Sequence, residues 1–183
     1  MGSSGARFVR LIASGLALVC ALVAPGSAAA AGPAACQSAE AAPAQVSERT
    51  VVRSTLCVLN AERARHGLRP LRLDPRLARA ARGHSEDMAD RNYFDHTSPS
   101  GASFVDRVRR AGYLRGARRW QVAENIAWGT GSLSSPRAIT RAWMDSPGHR
   151  ANILDGSYRE IGIGVASGSG ARAIYTTDFG VRG

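Results

Sequence analysis

The 183-residue sequence contains no lysine, so all 24 of its basic side chains are arginines. Only 14 side chains are acidic, and the formal net charge is +10. Such a charge favours anionic partners, including acidic lipid headgroups, wall polymers and nucleic acid. Nucleic acid is the weakest of these candidates, because the arginines are scattered along the chain without an aromatic stacking platform. The simpler interpretation, which we favour, is that the arginines solvate the outer faces of helices.

Two catalytic motifs are absent as well. Ser85, Ser103 and Ser132 lie outside any Gly-x-Ser-x-Gly elbow, which leaves an α/β-hydrolase mechanism without support. A helical His-Glu-x-x-His zinc motif is also missing, because Met88 stands where a second histidine would follow His84. We therefore interpret His84, on the apolar stripe of a helix, as packed and hydrogen-bonded.

The apolar run at residues 11–23 is too short for a comfortable membrane span of ~20 residues. It follows a basic start, with Arg7 and Arg10, and leads into small residues that end at Ala31. This layout is typical of a secretory signal peptide over residues 1–31, and the alternative is an uncleaved N-terminal anchor. We expect a secreted, extracellular protein without a stable membrane span after cleavage.

Cysteine is scarce, with three in the whole sequence. Cys20 falls within the predicted signal peptide, which leaves Cys36 and Cys57 as an even pair in an oxidising compartment. We predict a disulfide between them; the alternative is two free thiols. The bond would close a loop of about twenty residues, worth roughly 3 kcal/mol.

Residues 32–46 are rich in Ala and Pro and show no hydrophobic periodicity, which indicates a linker or a loosely tethered tail. The remainder, residues 47–183, has the length of one domain with a single core, which we expect to be monomeric.

Helical periodicity and start signals predict four helices. They cover residues 47–66, 74–92 and 103–112, and a fourth segment that opens at Ser135-Pro136. On the fourth helix we expect Ile139, Ala142 and Trp143 to face inward.

Alternating apolar residues over 161–165 and 173–181 predict an antiparallel hairpin, to which residues 121–127 could add a strand. Several helices and a small antiparallel sheet indicate an α+β fold.

Three short segments carry the residues best suited to a functional site. They are Tyr93-Phe94-Asp95-His96, the stretch from Ala123 to Gly129, and the stretch from Trp143 to Leu154. Each places an isolated His or Glu beside aromatic, Gly or Pro residues that would fix its direction. Together they could bring two imidazoles and a carboxylate to one cleft.

These segments, with Leu59-Asn60-Ala61-Glu62-Arg63 and the block from His84 to Ala89, closely resemble the signature blocks of the CAP superfamily in its bacterial secreted form. The CAP superfamily comprises cysteine-rich secretory, antigen 5 and pathogenesis-related class 1 proteins. The resemblance runs from about Leu56 to Phe179. It implies a single CAP (SCP) domain with a three-layer α-β-α sandwich, a layer order that periodicity alone does not give.

The resemblance also implies a cleft formed by His96, Glu124 and His149. Two imidazoles and a carboxylate are good ligands for zinc or another divalent metal, and they leave one position open. The family's fourth residue is a Glu three positions after a helical Trp. That position is Ser146 here, with Asp145 one step earlier and ~100° away on a helix.

Each candidate has a structural alternative. His96 and His149 could simply hydrogen-bond loops, and Glu124 could accept hydrogen bonds from backbone amides or Asn125. We expect Asp145, Ser146 and Asn125 to be neighbours of the cleft.

The resemblance favours a secreted binding module for a lipid, sterol, peptide or cell-envelope component. The alternative is a metal-assisted hydrolase of peptide or wall substrates, with His96 and His149 as metal ligands and Glu124 as base or third ligand. In a third hypothesis, the arginine surface holds a structural protein to the anionic envelope, and salt would weaken that binding.

Overall fold

The structure is a computed structural model that describes residues 36–183. The predicted signal peptide, residues 1–31, and Cys20 lie outside the described residues. The helices are α1 (Glu48–Arg65), α2 (Pro75–Asp90), α3 (Phe104–Arg110), α4 (Pro136–Asp145) and α5 (Pro147–Leu154), and the strands are β1 (Arg72–Leu73), β2 (Trp120–Thr130), β3 (Glu160–Ser167) and β4 (Arg172–Arg182). Within this part of the chain, no helix is both long and apolar enough to cross a membrane.

The helices begin where polar caps precede them. The Ser47 side chain accepts a hydrogen bond from Thr50 N at the start of α1, and Asp74 accepts from two backbone amides at the start of α2. Ser103 and Asp106 form a reciprocal capping box at the start of α3. The Ser135 side chain accepts from Ala138 N at the start of α4, so the four predicted helix starts are confirmed to within a residue or two.

Helix α5 was not predicted. Pro147 occupies its first position, immediately after α4, so His149 lies on a helix and not on a loop. The expected inner face of α4 also needs correction. Ile139 and Trp143 are buried, whereas Ala142 is exposed and Thr140 is buried in its place.

The four strands form one sheet in the order β1-β3-β4-β2. β4 pairs antiparallel with β3 on one side and with β2 on the other, where Glu124 lies opposite Asp178. The two-residue strand β1 pairs parallel with β3, so the sheet is mixed rather than purely antiparallel. β2 is left as an edge strand of this sheet.

The sheet is covered on both faces, which gives three layers. On one face, apolar residues of β3 and β4 pack with α1, α4 and α5; this core includes Leu59, Trp143, Ile153, Ile161, Tyr175 and Phe179. On the other face, Leu77 and Ala80 of α2 pack with Val108 of α3. The predicted α+β sandwich is confirmed.

Helix α2 packs directly against the backbone of β3, because two glycines face it. A Cβ atom on Gly162 would lie 2.0 Å from the carbonyl carbon of Leu77, and one on Gly164 would lie 2.3 Å from the amide nitrogen of Arg82. Any side chain at either position would force the helix away from the sheet.

Residues 36–46, which we predicted to be part of a loose linker, instead pack against the domain. Cys36 and Cys57 form the predicted disulfide, with Cα atoms 5.7 Å apart. Ala39 is buried, and Ser54 Oγ of α1 donates to the carbonyl of Gln37 at 2.6 Å. The predicted disulfide was the one sign of this packing in the sequence, because the Ala- and Pro-rich composition does not reveal contacts with distant residues.

We expect the Cys36→Ser/Cys57→Ser variant to lose about 3 kcal/mol of unfolding free energy, since the unfolded chain regains the entropy of a loop with a sequence separation of 21. Urea denaturation under non-reducing conditions measures the loss. Reductant should lower the stability of the parent protein and leave the variant unchanged. Equal stability of parent and variant without reductant would contradict the prediction.

Candidate functional site

Glu124 is the centre of the candidate site. It lies on the edge strand β2, on the face covered by α2 and α3, and its side chain is 1% exposed. His96 Nδ1 donates to Oε1 at 2.8 Å, and Arg107 Nη2 donates to Oε2 at 2.7 Å. Both carboxylate oxygens are therefore engaged by cationic or polar partners.

Arg107 joins Glu124 to the segment that carries His96. It is buried on α3, and its Nη2 also donates to the carbonyl of His96 at 2.9 Å. Its Nη1 donates to the carbonyl of Ala102 at 3.1 Å. Sequence reasoning missed Arg107, because nothing in the run to Arg110 distinguishes the buried arginine from its exposed neighbours.

His84 on α2 also contacts the segment that carries His96. It is fully buried, and its Nε2 donates to the carbonyl of Asp95 at 3.0 Å. The interpretation of His84 as a packed, hydrogen-bonded histidine agrees with this position. Its Nε2 also lies 4.0 Å from Glu124 Oε1, and burial lowers the pKa of the ring, which favours its neutral form.

Asp178 is a second buried carboxyl, directly opposite Glu124 on β4. Its side chain is fully buried, and no described residue gives either of its oxygens a hydrogen bond of normal geometry. Burial, and then the negative charge of Glu124, raise the pKa of Asp178 well above its ordinary value. This environment favours the neutral form of Asp178, whereas the Glu124 carboxylate faces the guanidinium of Arg107.

His149 approaches from the opposite layer, on the first turn of α5. The buried side chain of Asn125 donates to the carbonyl of His149 at 3.1 Å and accepts from Asn152 Nδ2 at 2.8 Å. Asn125 was predicted as a cleft neighbour, but it is fully buried and fixes α5 against β2. The side chain of His149 is close enough to His96 to be influenced by its charge.

The other two predicted neighbours lie at the junction of α4 and α5. Asp145 is exposed at the end of α4. Ser146 is half-buried, and its carbonyl accepts from the backbone amide of Arg150 at 2.9 Å. Within residues 36–183, neither residue belongs to a group of side chains placed to hold a metal ion.

The arrangement does not fit a metal site with Glu124 as a ligand. Among residues 36–183, no group of three or more His, Cys, Asp or Glu side chains is placed to hold a metal ion. Arg107 and His96 each donate to one oxygen of Glu124, so a metal ion would compete with both hydrogen bonds. The carboxylate is thus placed to orient the imidazole of His96 through Nδ1.

The two histidines should titrate in opposite directions. The hydrogen bond to Glu124 raises the pKa of His96 above 6.5, against the opposing effect of partial burial. Burial, and then the positive charge of His96, lower the pKa of His149 below 6.5. The stability that His96 contributes is present below its unfolded pKa and is lost as the pH rises through its folded pKa. For His149, stability is lost as the pH falls below its unfolded pKa.

An NMR titration of the imidazole C–H signals, assigned with His96→Gln and His149→Gln variants, checks this order. Glu124→Gln should lower the pKa of His96, because a neutral amide does not stabilise an imidazolium. A His96 signal that titrates below that of His149 would show that the Glu124 contact does not persist in solution.

Comparison with known sequences identifies a family. Residues 56–179 match the family described as "Cysteine-rich secretory protein family", abbreviated CAP. The chain is 43% identical over 141 residues to YkwD of Bacillus subtilis, described as an uncharacterized protein, and the match covers 75% of this chain and 49% of YkwD.

Two solved structures are similar to the domain. An extracellular protein containing an SCP domain, from Bacillus anthracis, matches with a TM-score of 0.61 and 31% identity, over 73% of this chain and 43% of that protein. An outer surface protein from Borrelia burgdorferi matches with a TM-score of 0.65 and 18% identity, over 75% of this chain and 97% of that protein, which shows likeness of fold alone. The chain spans less than half the length of YkwD and of the B. anthracis protein.

Proposed function

The chain belongs to the CAP family of cysteine-rich secretory proteins, and we propose that it acts outside the cell as a binding module whose ligand contacts His96 and His149. The predicted signal peptide and the extracellular description of the B. anthracis relative support the location. The proposal concerns the domain described above, which corresponds to only part of its longer relatives.

The observation that carries the proposal is the closed set of contacts around Glu124. A carboxylate bonded to both Arg107 and His96 is poorly suited to accept a further proton or to ligate a metal. Its effect is to fix the ring of His96, whose side chain is 49% exposed. The Nε2 atom of His96 makes no hydrogen bond to a described residue, so this atom is left for a ligand.

A polar ligand suits the site better than a hydrocarbon. The groups that define it are imidazoles, a buried carboxylate and a buried guanidinium, whereas a sterol or fatty acid needs a continuous apolar groove. Among the ligand classes implied by the family resemblance, a peptide or a polar cell-envelope component is therefore favoured over a lipid or sterol.

Binding experiments with soluble peptidoglycan fragments, a fluorescent sterol and a fluorescent fatty acid test the proposal. We expect saturable binding of the peptidoglycan fragments, weakened about tenfold in His96→Gln by the loss of one hydrogen bond to the ligand. His66→Gln, at the exposed end of α1, is the matched control and should bind normally. Saturable binding of the sterol or fatty acid alone would refute the polar ligand, and equal binding by His96→Gln would refute the site.

The contact between Glu124 and His96 also favours a second candidate, a hydrolase, because a carboxylate at Nδ1 orients a histidine for acid–base work. Any metal would have to rely on the two imidazoles, since Glu124 is engaged. Turnover of peptidoglycan, measured together with the metal content of the purified protein, decides between the candidates. Hydrolysis that is lost in both His96→Ala and His149→Ala would replace the binding module with an enzyme.

A further inference from the structure

A cleft of about 440 Å³ opens between α2 and α3. We call it the arginine cleft. Its charged lining consists of Arg79, Arg91, Arg107 and Arg110 with a single acid, Asp87. Arg107 is already paired with Glu124, so three further positive charges face one negative charge in a space large enough for a small ligand.

Asp87, the single acid in the cleft, already has two hydrogen-bond partners. Asp87 accepts a hydrogen bond from Tyr93 Oη at 2.5 Å and lies 3.5 Å from Arg91 Nη1. The tyrosine hydroxyl and the nearby arginine hold the pKa of Asp87 below its ordinary value, so it stays ionised but paired. The remaining arginines of the cleft have no carboxylate partner of this kind within it.

Arg79 and Arg110 use only some of their N–H donors in hydrogen bonds. Arg79 uses Nη2 for the carbonyl of Ala111 at 3.1 Å, and Arg110 uses Nε for the carbonyl of Asp106 at 3.4 Å. Each guanidinium has five N–H donors, so most of the donors on these two side chains are not used by these contacts.

Arg107 adds a buried donor. Its side chain is 8% exposed, and its Nε makes no hydrogen bond to any described residue, although both Nη atoms are fully engaged in the site. A buried, unpaired N–H of a charged group is rare in native proteins and often marks a bound ion or water. Ser98, whose Oγ accepts from Arg107 Nη1 at 3.4 Å, adds a hydroxyl to the same wall.

We propose that the arginine cleft binds a phosphate ester, with the phosphate held by Arg79 and Arg110 and supported by the unpaired Nε–H of Arg107. Arginine forks match the geometry of phosphate oxygens and donate paired, charge-assisted hydrogen bonds. The volume admits a phosphate together with a group the size of glycerol. The ester is either a free molecule or the headgroup of an anionic lipid, which share this chemistry. The inference does not depend on the proposed function of His96 and His149.

Isothermal titration calorimetry with sn-glycerol 3-phosphate tests whether the cleft binds a free phosphate ester. We expect Arg79→Gln/Arg110→Gln to weaken binding about tenfold or more, because two charged donors are lost. The matched control is Arg109→Gln. It removes an exposed arginine from the position of α3 that precedes Arg110, where its partner is Asp106 and it does not line the cleft. His96→Gln should bind glycerol 3-phosphate normally, which separates this site from the proposed ligand site.

Co-flotation with phosphatidylglycerol vesicles, compared with phosphatidylcholine vesicles, tests the lipid arm. Vesicle binding that is lost in Arg79→Gln/Arg110→Gln and competed by glycerol 3-phosphate would assign the headgroup as the source. Glycerol 3-phosphate binding without vesicle binding would assign a free ester. Equal losses in the cleft variant and in Arg109→Gln would overturn the proposal in favour of unspecific surface charge, and so would an absence of binding in both arms.

Discussion

Gly164→Ala should lower the free energy of unfolding by about 3 kcal/mol or more, and should give a poorly folded protein if the domain has little stability to spare. The new Cβ atom would lie 2.3 Å from Arg82 N and 2.4 Å from the Ala81 carbonyl carbon. These are backbone atoms of α2, so no side-chain rotation relieves the overlap. The helix would have to move off the sheet and lose packing along its length. Urea denaturation followed by tryptophan fluorescence measures the change.

Gly83→Ala is the matched control for this prediction, because it makes the same chemical change within α2 itself. A Cβ atom on Gly83 would meet nothing within 4 Å, and its φ is not in the left-handed region. Alanine in the interior of a helix is favoured over glycine by roughly 0.5–1 kcal/mol, so this variant should be slightly more stable than the parent. A Gly164→Ala protein as stable as Gly83→Ala would show that α2 does not pack on the backbone of β3.

Arg107→Met should destabilise the domain by about 3–5 kcal/mol, although it replaces a charged side chain with an apolar one of similar length. The cost comes from Glu124, which would keep its buried negative charge beside the buried carboxyl of Asp178 without its cationic partner. The carbonyl of His96 would also lose the donor that Arg107 supplies, and the carbonyl of Ala102 would keep only the backbone amide of Ser98. The segment that carries His96 should become mobile in the same variant.

A double-mutant cycle separates these contributions. Adding Glu124→Gln to Arg107→Met removes the stranded charge and should recover a large part of the lost stability. Arg109→Met is the control, because its side chain is 59% exposed and its ion pair with Asp106 lies on the surface. If Arg107→Met and Arg109→Met cost the same, the ion pair between Arg107 and Glu124 is not a buried element of the site.

The parts of the fold that could be predicted are those with a local physical signal. Ser47, Asp74 and Ser103 are polar caps directly before apolar periodic runs, and each begins a helix as expected. Strand β1 has only two residues and forms by parallel pairing with a strand almost ninety positions away, so no periodicity could reveal it. Pro147-Gly148 resembles a turn, and only the packing of α5 against the sheet decides that it opens a helix.

The site residues that could be predicted are those whose sequence context is distinctive, with an isolated His or Glu beside aromatic, Gly or Pro residues. His96 and Glu124 stood out and are in contact. Asp178 did not, because alternation along β4 predicts that it points away from the main core, where a carboxylate would ordinarily meet water. Helices α2 and α3 cover that second face, which turns an apparently exposed acid into a buried one. Arg107 escaped notice for the same reason, since burial on a short helix is decided by the partner surface.

Adjacent positions on β2 point to opposite sides of the sheet. Glu124 and Asn125, which position the two histidines, are such neighbours and are joined by one peptide bond. Glu124 holds His96 from the side of α3, whereas Asn125 holds the helix of His149 from the other side. The distance between the rings of His96 and His149 therefore depends on the distance between the two helical layers beside β2. A ligand that contacted both rings would restrict the motion of these two layers relative to each other. Amide hydrogens along β2 would then exchange more slowly with deuterium.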